Sequence, residues 1–255
     1  MKSAIDKIFG FSDMGIVQGR NIPKKIFYEQ DAFNASRKKL FTDDIENLRI
    51  SAICDRNTTN IEAYVNEDRN YKEIFFIQVI LKDASKHKKI SEIMHQVIPN
   101  PVVIIFIHKK SLLLSAAHKR LNKQEKGKIV VEAEYNSPWV STETSDETIQ
   151  KFIKQLYLKN FNFDNLYVFY SDITKAIIFS SFIELVRAYK YSRACDIKKI
   201  SELADRFKKL QEKKVFHVNA DKKLKNFGDK VSNHQQLLDT QKELDKIKQI
   251  LTKFD

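Results

Sequence analysis

The chain has 255 residues, 42% of them hydrophobic, enough for one large core or for one domain with an appendage. Gly (5) and Pro (4) are scarce, which argues against long flexible linkers, and two distant cysteines, Cys54 and Cys195, exclude a metal cluster or disulfide framework and read as reduced cytosolic thiols. The net charge is +12, no apolar run approaches the ~20 residues of a membrane helix, and MKSAIDKIFGFSD is no signal peptide, so a cytoplasmic chain without a membrane partner is expected.

In chain order, Phe33, Leu40, Phe41, Ile45 and Leu48 recur at helical spacing and predict a helix over 31–48, which Thr42 interrupts. RISAICD (49–55) alternates as a short strand, 57–60 is a polar turn, and IEAYV (61–65) alternates again. IFFIQVIL (74–81) is apolar on both faces except at Gln78, the pattern of a central strand. A helix over 85–97 carries Ile90, Ile93, Met94 and Val97 on one face and stops before Pro99 and Pro101. VVIIFI (102–107) completes a βαβ unit, so the two buried strands should be parallel with a right-handed crossover. A turn at 108–111 leads into an antiparallel strand at 112–117, and KIVVEAEY (128–135) reads as a sheet edge.

Beyond Trp139 the pattern becomes helical. Thr144 and Glu147 have capping-box spacing ahead of a helix carrying Ile149, Phe152, Ile153, Leu156 and Tyr157. Residues 173–189 form a long apolar helix, and Ile200, Leu203, Phe207 and Leu210 follow 3-4-3 spacing. Leu237, Leu244 and Leu251 repeat every seven residues, with Ile247 and Phe254 between or beyond, and 219–228 breaks the two helices. The expected architecture is α/β (α+β): a mixed sheet with a βαβ crossover over 1–140, then an all-helical region over 141–255 with a short coiled-coil-like helix pair. That pair is expected to be antiparallel within the chain, the alternative being a homodimer through the C-terminal helices.

The charge is uneven. Residues 82–128 hold 11 basic and 3 acidic residues, a net +8; residues 193–255 hold 16 and 10, a net +6; the rest is near neutral. Such local excess favours phosphate-rich partners. Lys82, Lys86, His87, Lys88 and Lys89 crowd the start of the crossover helix, and His108, Lys109 and Lys110 crowd the next turn. Parallel strand ends share an edge, so these two groups should be neighbours able to seat a nucleic-acid backbone. His118, Lys119 and Arg120 belong to the same basic strip but should leave from the opposite edge. As a solvated rim the same residues would only confer solubility.

The stretches IPKKIFYEQ, RKKLFTDDIENL, YKEIFFIQVILKD, HQVIPNPVVIIF and SAAHKR resemble the bacterial domain of unknown function (DUF) 4391 family, over about residues 8–140 and more loosely beyond. The resemblance implies a setting beside DNA methyltransferases and DEAD-type helicases in restriction-modification or phage-defence loci, and it carries no catalytic residue over. The expected function is therefore an accessory, nucleic-acid-associated subunit working with a methyltransferase or helicase, without a cofactor. The alternative is a diverged PD-(D/E)xK-like nuclease, whose core shares the order of predicted elements and which would bind Mg²⁺. That signature needs an acid two places before a Lys in the central strand, whereas Gln78 and Lys82 stand four apart; Asp55, Glu62 and Glu73 would have to converge near Lys82. The bland reading of Gln78 is a buried amide satisfied by hydrogen bonds. The six His show no H-x-x-x-H spacing, so no metal is expected, and His95, flanked by Met94 and Ile98, reads as structural. No phosphate-binding Gly loop, Rossmann fingerprint or nucleophile elbow occurs.

Overall fold

The computed structural model describes residues 3–16, 19–30, 33–125, 127–222 and 224–254, and its chain divides into two compact units, 1–177 and 178–255. The first unit opens with α1 (Ala4–Phe9), α2 (Lys25–Tyr28) and α3 (Ala35–Asp44), and continues through β1 (Ile45–Asp55), the single turn α4 (Arg56–Thr59), β2 (Tyr64–Val65), β3 (Asn70–Tyr71) and β4 (Glu73–Leu81). It continues with α5 (His87–Val97), β5 (Val102–His108), β6 (Ser111–Leu121), β7 (Ile129–Asn136), β8 (Val140–Ser141) and α6 (Glu147–Gln155), followed by α7 (Leu166–Ser180), whose last residues pass into the second unit.

The main sheet runs β1-β4-β5-β6-β7, with β8 pairing β6, while β2 and β3 form a separate two-stranded ribbon. β4 and β5 are parallel and every other pairing is antiparallel. The parallel pair joined by α5 is the βαβ unit that the sequence predicts. Two predicted elements change. Ile45 and Leu48 continue the helical period of α3, yet they lie opposite Leu81 and Val79 in the β1–β4 ladder. Burial in the sheet outweighs propensity there, so α3 ends at Asp44 and β1 gains four residues. The alternating 61–65 yields strand only at Tyr64–Val65.

Each sheet face has its own core. Ile77, Val79 and Leu81 of β4 pack with Ile90, Ile93 and Met94 of α5 and with Phe27, Phe33 and Phe41. On the other face Phe76 meets Phe9 at 5.6 Å and Phe11 at 5.1 Å, both edge-on, which anchors α1 to the sheet. At α6 the N-cap is Asp146, which accepts from the Thr148 and Ile149 amides; Thr144 instead accepts from the Asp146 amide. The expected capping box therefore sits two residues too early.

The second unit holds the end of α7, then α8 (Ile183–Val186), α9 (Ile197–Asp221) and α10 (Phe227–Leu251). The apolar helix predicted at 173–189 starts earlier, at Leu166, and stops at Ser180. α9 and α10 pack as an antiparallel hairpin, since Arg206 bonds Glu243 near one end and His217 bonds Asn233 near the other. The α10 seam is Asn233, Leu237, Thr240, Leu244, Ile247 and Leu251, stepping 4-3-4-3-4, against Ile200, Phe207 and His217 of α9. The coiled-coil-like pair thus forms within the chain. Its polar layer is buried: His217 Nδ1 and Asn233 Oδ1 lie 2.8 Å apart, and Asn233 Nδ2 donates to the His217 carbonyl at 3.0 Å. Asn233→Ala strands the imidazole, so a loss of about 1–3 kcal/mol is expected in urea unfolding, against a few tenths for the exposed His234→Ala. No helix among the described residues is long and apolar enough to cross a membrane.

Candidate functional site

Parallel pairing of β4 with β5 puts their carboxyl ends side by side, the usual place for a ligand crevice in an α/β sheet. His108 Nδ1 donates to the Leu81 carbonyl at 3.0 Å, so the residues that follow β4 and those that end β5 share one edge. Lys82, Lys88, Lys89, Lys109 and Lys110 are exposed along it. Lys86 is half-buried and faces Asp83 at 3.8 Å. The Asp83 carboxylate accepts from the Ser85 backbone amide and hydroxyl, bonds that hold it below the usual carboxylate range. His87 is committed to structure: Nδ1 meets the Ala84 carbonyl at 2.8 Å, and the ring stands edge-on to Phe106 and Trp139.

Lys24, which no pattern in the sequence marks, joins this edge. Its ammonium donates to the Ile45 carbonyl, and its pKa is lowered by burial and then by the nearby Lys82. Lys24 and Lys82 thus place two cations close together at this end of the sheet.

Behind the edge, on the α1 face, lies a cavity of about 240 Å³. Its floor is the sheet, with Ser51, Gln78, Ile107 and Leu112, and its walls include the start of α1, Phe11 and Thr142. Arg49, Lys109 and Lys110 line it, and among the described residues no carboxylate does. Arg49 lies opposite Gln78 in the β1–β4 register. Its Nε donates to the Gly19 carbonyl at 3.2 Å, which aims the guanidinium, and its terminal nitrogens make no hydrogen bond among the described residues. A Cβ on Gly19 would meet the Ile50 carbonyl oxygen at 2.4 Å, so this close approach requires glycine. Gln78 departs from its bland reading: its side-chain amide lines the cavity without a hydrogen bond among the described residues. Lys109 adopts φ 55 in the two-residue β5–β6 turn, a left-handed conformation that L side chains rarely adopt. Lys110 pairs with Glu143 at 2.7 Å.

The opposite edge is different. Lys119 is 3% exposed and its ammonium donates to the Ile98 and Asn100 carbonyls, tying down the loop that carries Pro99. Burial pushes its pKa down to about 7. His118 is also buried, with Nδ1 2.9 Å from the Tyr71 hydroxyl, between the Tyr71, Tyr167 and Tyr170 rings. Neither side chain is offered to a phosphate, because both are consumed by the core. Arg120 is half-buried there. Nearby Arg69 grips Glu132 through two bonds of 3.1 and 3.0 Å and stacks over Tyr167.

The carboxylates proposed for a nuclease do not meet Lys82. Asp55 and Glu73 pair at the beginning of β4, Asp55 capping α4 and Glu73 accepting from Asn100, while Glu62 pairs with Arg56. Lys82 follows the other end of β4, roughly 30 Å from Glu73 at ~3.3 Å per residue. Among the described residues no three His, Cys, Asp or Glu side chains gather to hold a metal.

Fold and site together define a mixed α/β protein with a cation-lined cavity at the carboxyl edge of its parallel strands and a helical hairpin at its C-terminal end. The chain belongs to the family described as Domain of unknown function (DUF4391), whose model matches residues 17–244. No curated protein and no solved structure matches it.

Proposed function

We propose that this protein is an accessory, nucleic-acid-associated subunit that contacts phosphate groups through the carboxyl edge of β4 and β5. The observation that carries this reading is the concentration of cations there. Lys82, Lys88, Lys89 and Lys109 are exposed on one edge, with Arg49 and Lys110 lining the cavity behind it. A DNA methyltransferase or helicase of a restriction or phage-defence system is the partner enzyme that fits the family resemblance, and the protein's own part is binding. Mg²⁺-dependent cleavage has no support in the placement of Asp55, Glu62, Glu73 and Lys82. A homodimer would have to use outer faces of the hairpin, because the seam is consumed within the chain; Phe227, Val231 and Leu238 are exposed on α10.

Titration of labelled single- and double-stranded DNA and RNA across salt concentrations tests the reading. Affinity is expected to fall linearly with salt on logarithmic axes, with a slope close to −0.9 for each duplex phosphate contacted. The triple change of Lys82, Lys88 and Lys89 to Glu is expected to weaken binding more than tenfold and to flatten the slope. No binding at low salt, with no methyltransferase or helicase co-purifying, would end the proposal.

A further inference from the structure

We propose that the cavity behind the basic edge is an end pocket that takes the terminal phosphate of a nucleic-acid strand. The inference rests on the reading above and sharpens it from phosphate backbone to phosphate end. Three observations carry it.

The first is charge. Arg49, Lys109 and Lys110 contribute +3 and Glu143, paired to Lys110, subtracts 1, leaving +2 at the cavity. A backbone diester carries a single charge, whereas a phosphate monoester carries about −1.5 to −2 at neutral pH. The pocket balances the monoester.

The second is uncommitted hydrogen-bonding capacity. The Gln78 amide, the Ser51 and Ser111 hydroxyls and the terminal Arg49 nitrogens line the cavity and make no hydrogen bond among the described residues. Arg49 is exposed, but Ser51 is buried and Gln78 and Ser111 are half-buried, and such polar groups on a sheet floor normally find protein partners. Here they converge on one volume, and Ser51 is only 6% exposed. A phosphate with several acceptor oxygens would satisfy them together.

The third is shape. The sheet closes the cavity from below, and its volume of about 240 Å³ is under the ~300–1,000 Å³ of sites that enclose a whole drug-sized ligand. It has room for a phosphate and part of a sugar. A strand that continues in both directions needs a groove, not a floor. Ile5, Phe11, Ile107 and Leu112 supply apolar wall for the sugar.

The test uses the full-length protein and four probes: one oligonucleotide sequence with a 5′-phosphate, a 3′-phosphate or hydroxyl ends, and a nucleoside monophosphate. The phosphorylated end is expected to bind at least tenfold more tightly than the hydroxyl-ended strand, and millimolar inorganic phosphate is expected to erase the preference. Arg49→Ala should remove it. Gln78→Leu, which replaces the amide with an apolar side chain of similar size suited to the strand, should reduce it several-fold. Lys248→Ala on α10 should leave it intact. Equal affinity for phosphorylated and hydroxyl-ended strands overturns the end pocket while leaving the edge as a backbone contact. Arg49-dependent binding of the monophosphate with no oligonucleotide binding keeps the phosphate pocket, makes a free nucleotide its source and overturns the nucleic-acid reading. Binding of none of the probes overturns both.

Discussion

Lowering the pH from 7 to about 4.5 is expected to destabilise the protein by about 3 kcal/mol or more, chiefly through His118 and His95. Burial, reinforced by Arg69, pushes the His118 pKa from 6.5 down to about 3; burial, reinforced by Lys119, pushes His95 well below its usual value. A folded-state pKa below the unfolded one means that the unfolded chain binds the proton first. Stability is therefore intact above about pH 6.5 and is lost progressively as the pH falls below it. His118 alone contributes about 3 kcal/mol at pH 4.5, from ~1.36 kcal/mol per pH unit. Lys119 acts in a higher window. Its folded pKa of about 7 lies below the ordinary 10.5, so its contribution rises with pH between those values. Urea midpoints measured at pH 7 and 4.5 decide the matter. His118→Gln, which cannot ionise, should keep much more of its midpoint on acidification than the unaltered protein. Equal midpoints at both pH values would contradict the burial of these rings.

Phe76→Ala is expected to cost about 3–5 kcal/mol, a large part of the stability of a typical domain. Phe76 is 0% exposed, and its ring is the platform on which Phe9 and Phe11 stand. The loss reaches the site, since Phe11 and Ser3, Ala4 and Ile5 wall the cavity. Thermal unfolding should show a single large drop in midpoint, and preference for a phosphate end should weaken even where the variant is still folded. Phe76→Leu should cost less than half as much. A Phe76→Ala variant within 1 kcal/mol of the parent would mean that α1 is not held by this ring.

Elements with a single reading in sequence appear where the pattern puts them. IFFIQVIL and VVIIFI are too apolar for anything but covered strands, and the helix between them forces the parallel pairing that creates the edge. Ile45 and Leu48, three residues apart, fit a helical period and not a strand period of two; both reach the same core because the β1–β4 ladder shifts register between Ile45 and Asn47. The hairpin seam is legible as a leucine heptad with Thr240 as a polar interruption, whereas its other polar member, Asn233, lies outside the apolar pattern and is explained only by His217 of α9 opposite it.

For the site, the lysines of 82–89 and 108–110 stood out as a charge run, and the strand order correctly makes them neighbours. His118 and Lys119 stood out equally and are buried, because a charge run does not reveal which side of the strand is covered. Arg49 and Ser51 were hidden by distance: Arg49 and Gln78 are 29 residues apart and meet only through register. The one available signal was the polar residue inside an otherwise apolar strand, Gln78, whose environment decides whether it is structural or offered to a ligand.

The most direct test is where nucleic acid protects lysines. Acetylation of the protein alone and with a 5′-phosphorylated oligonucleotide, read by mass spectrometry, compares the exposed lysines on one molecule. Protection is expected at Lys82, Lys88, Lys89, Lys109 and Lys110, with Lys213, Lys230 and Lys248 of the helical hairpin unchanged. Protection confined to the hairpin lysines, or found nowhere at low salt, would contradict the assignment of the β4–β5 edge as the binding surface.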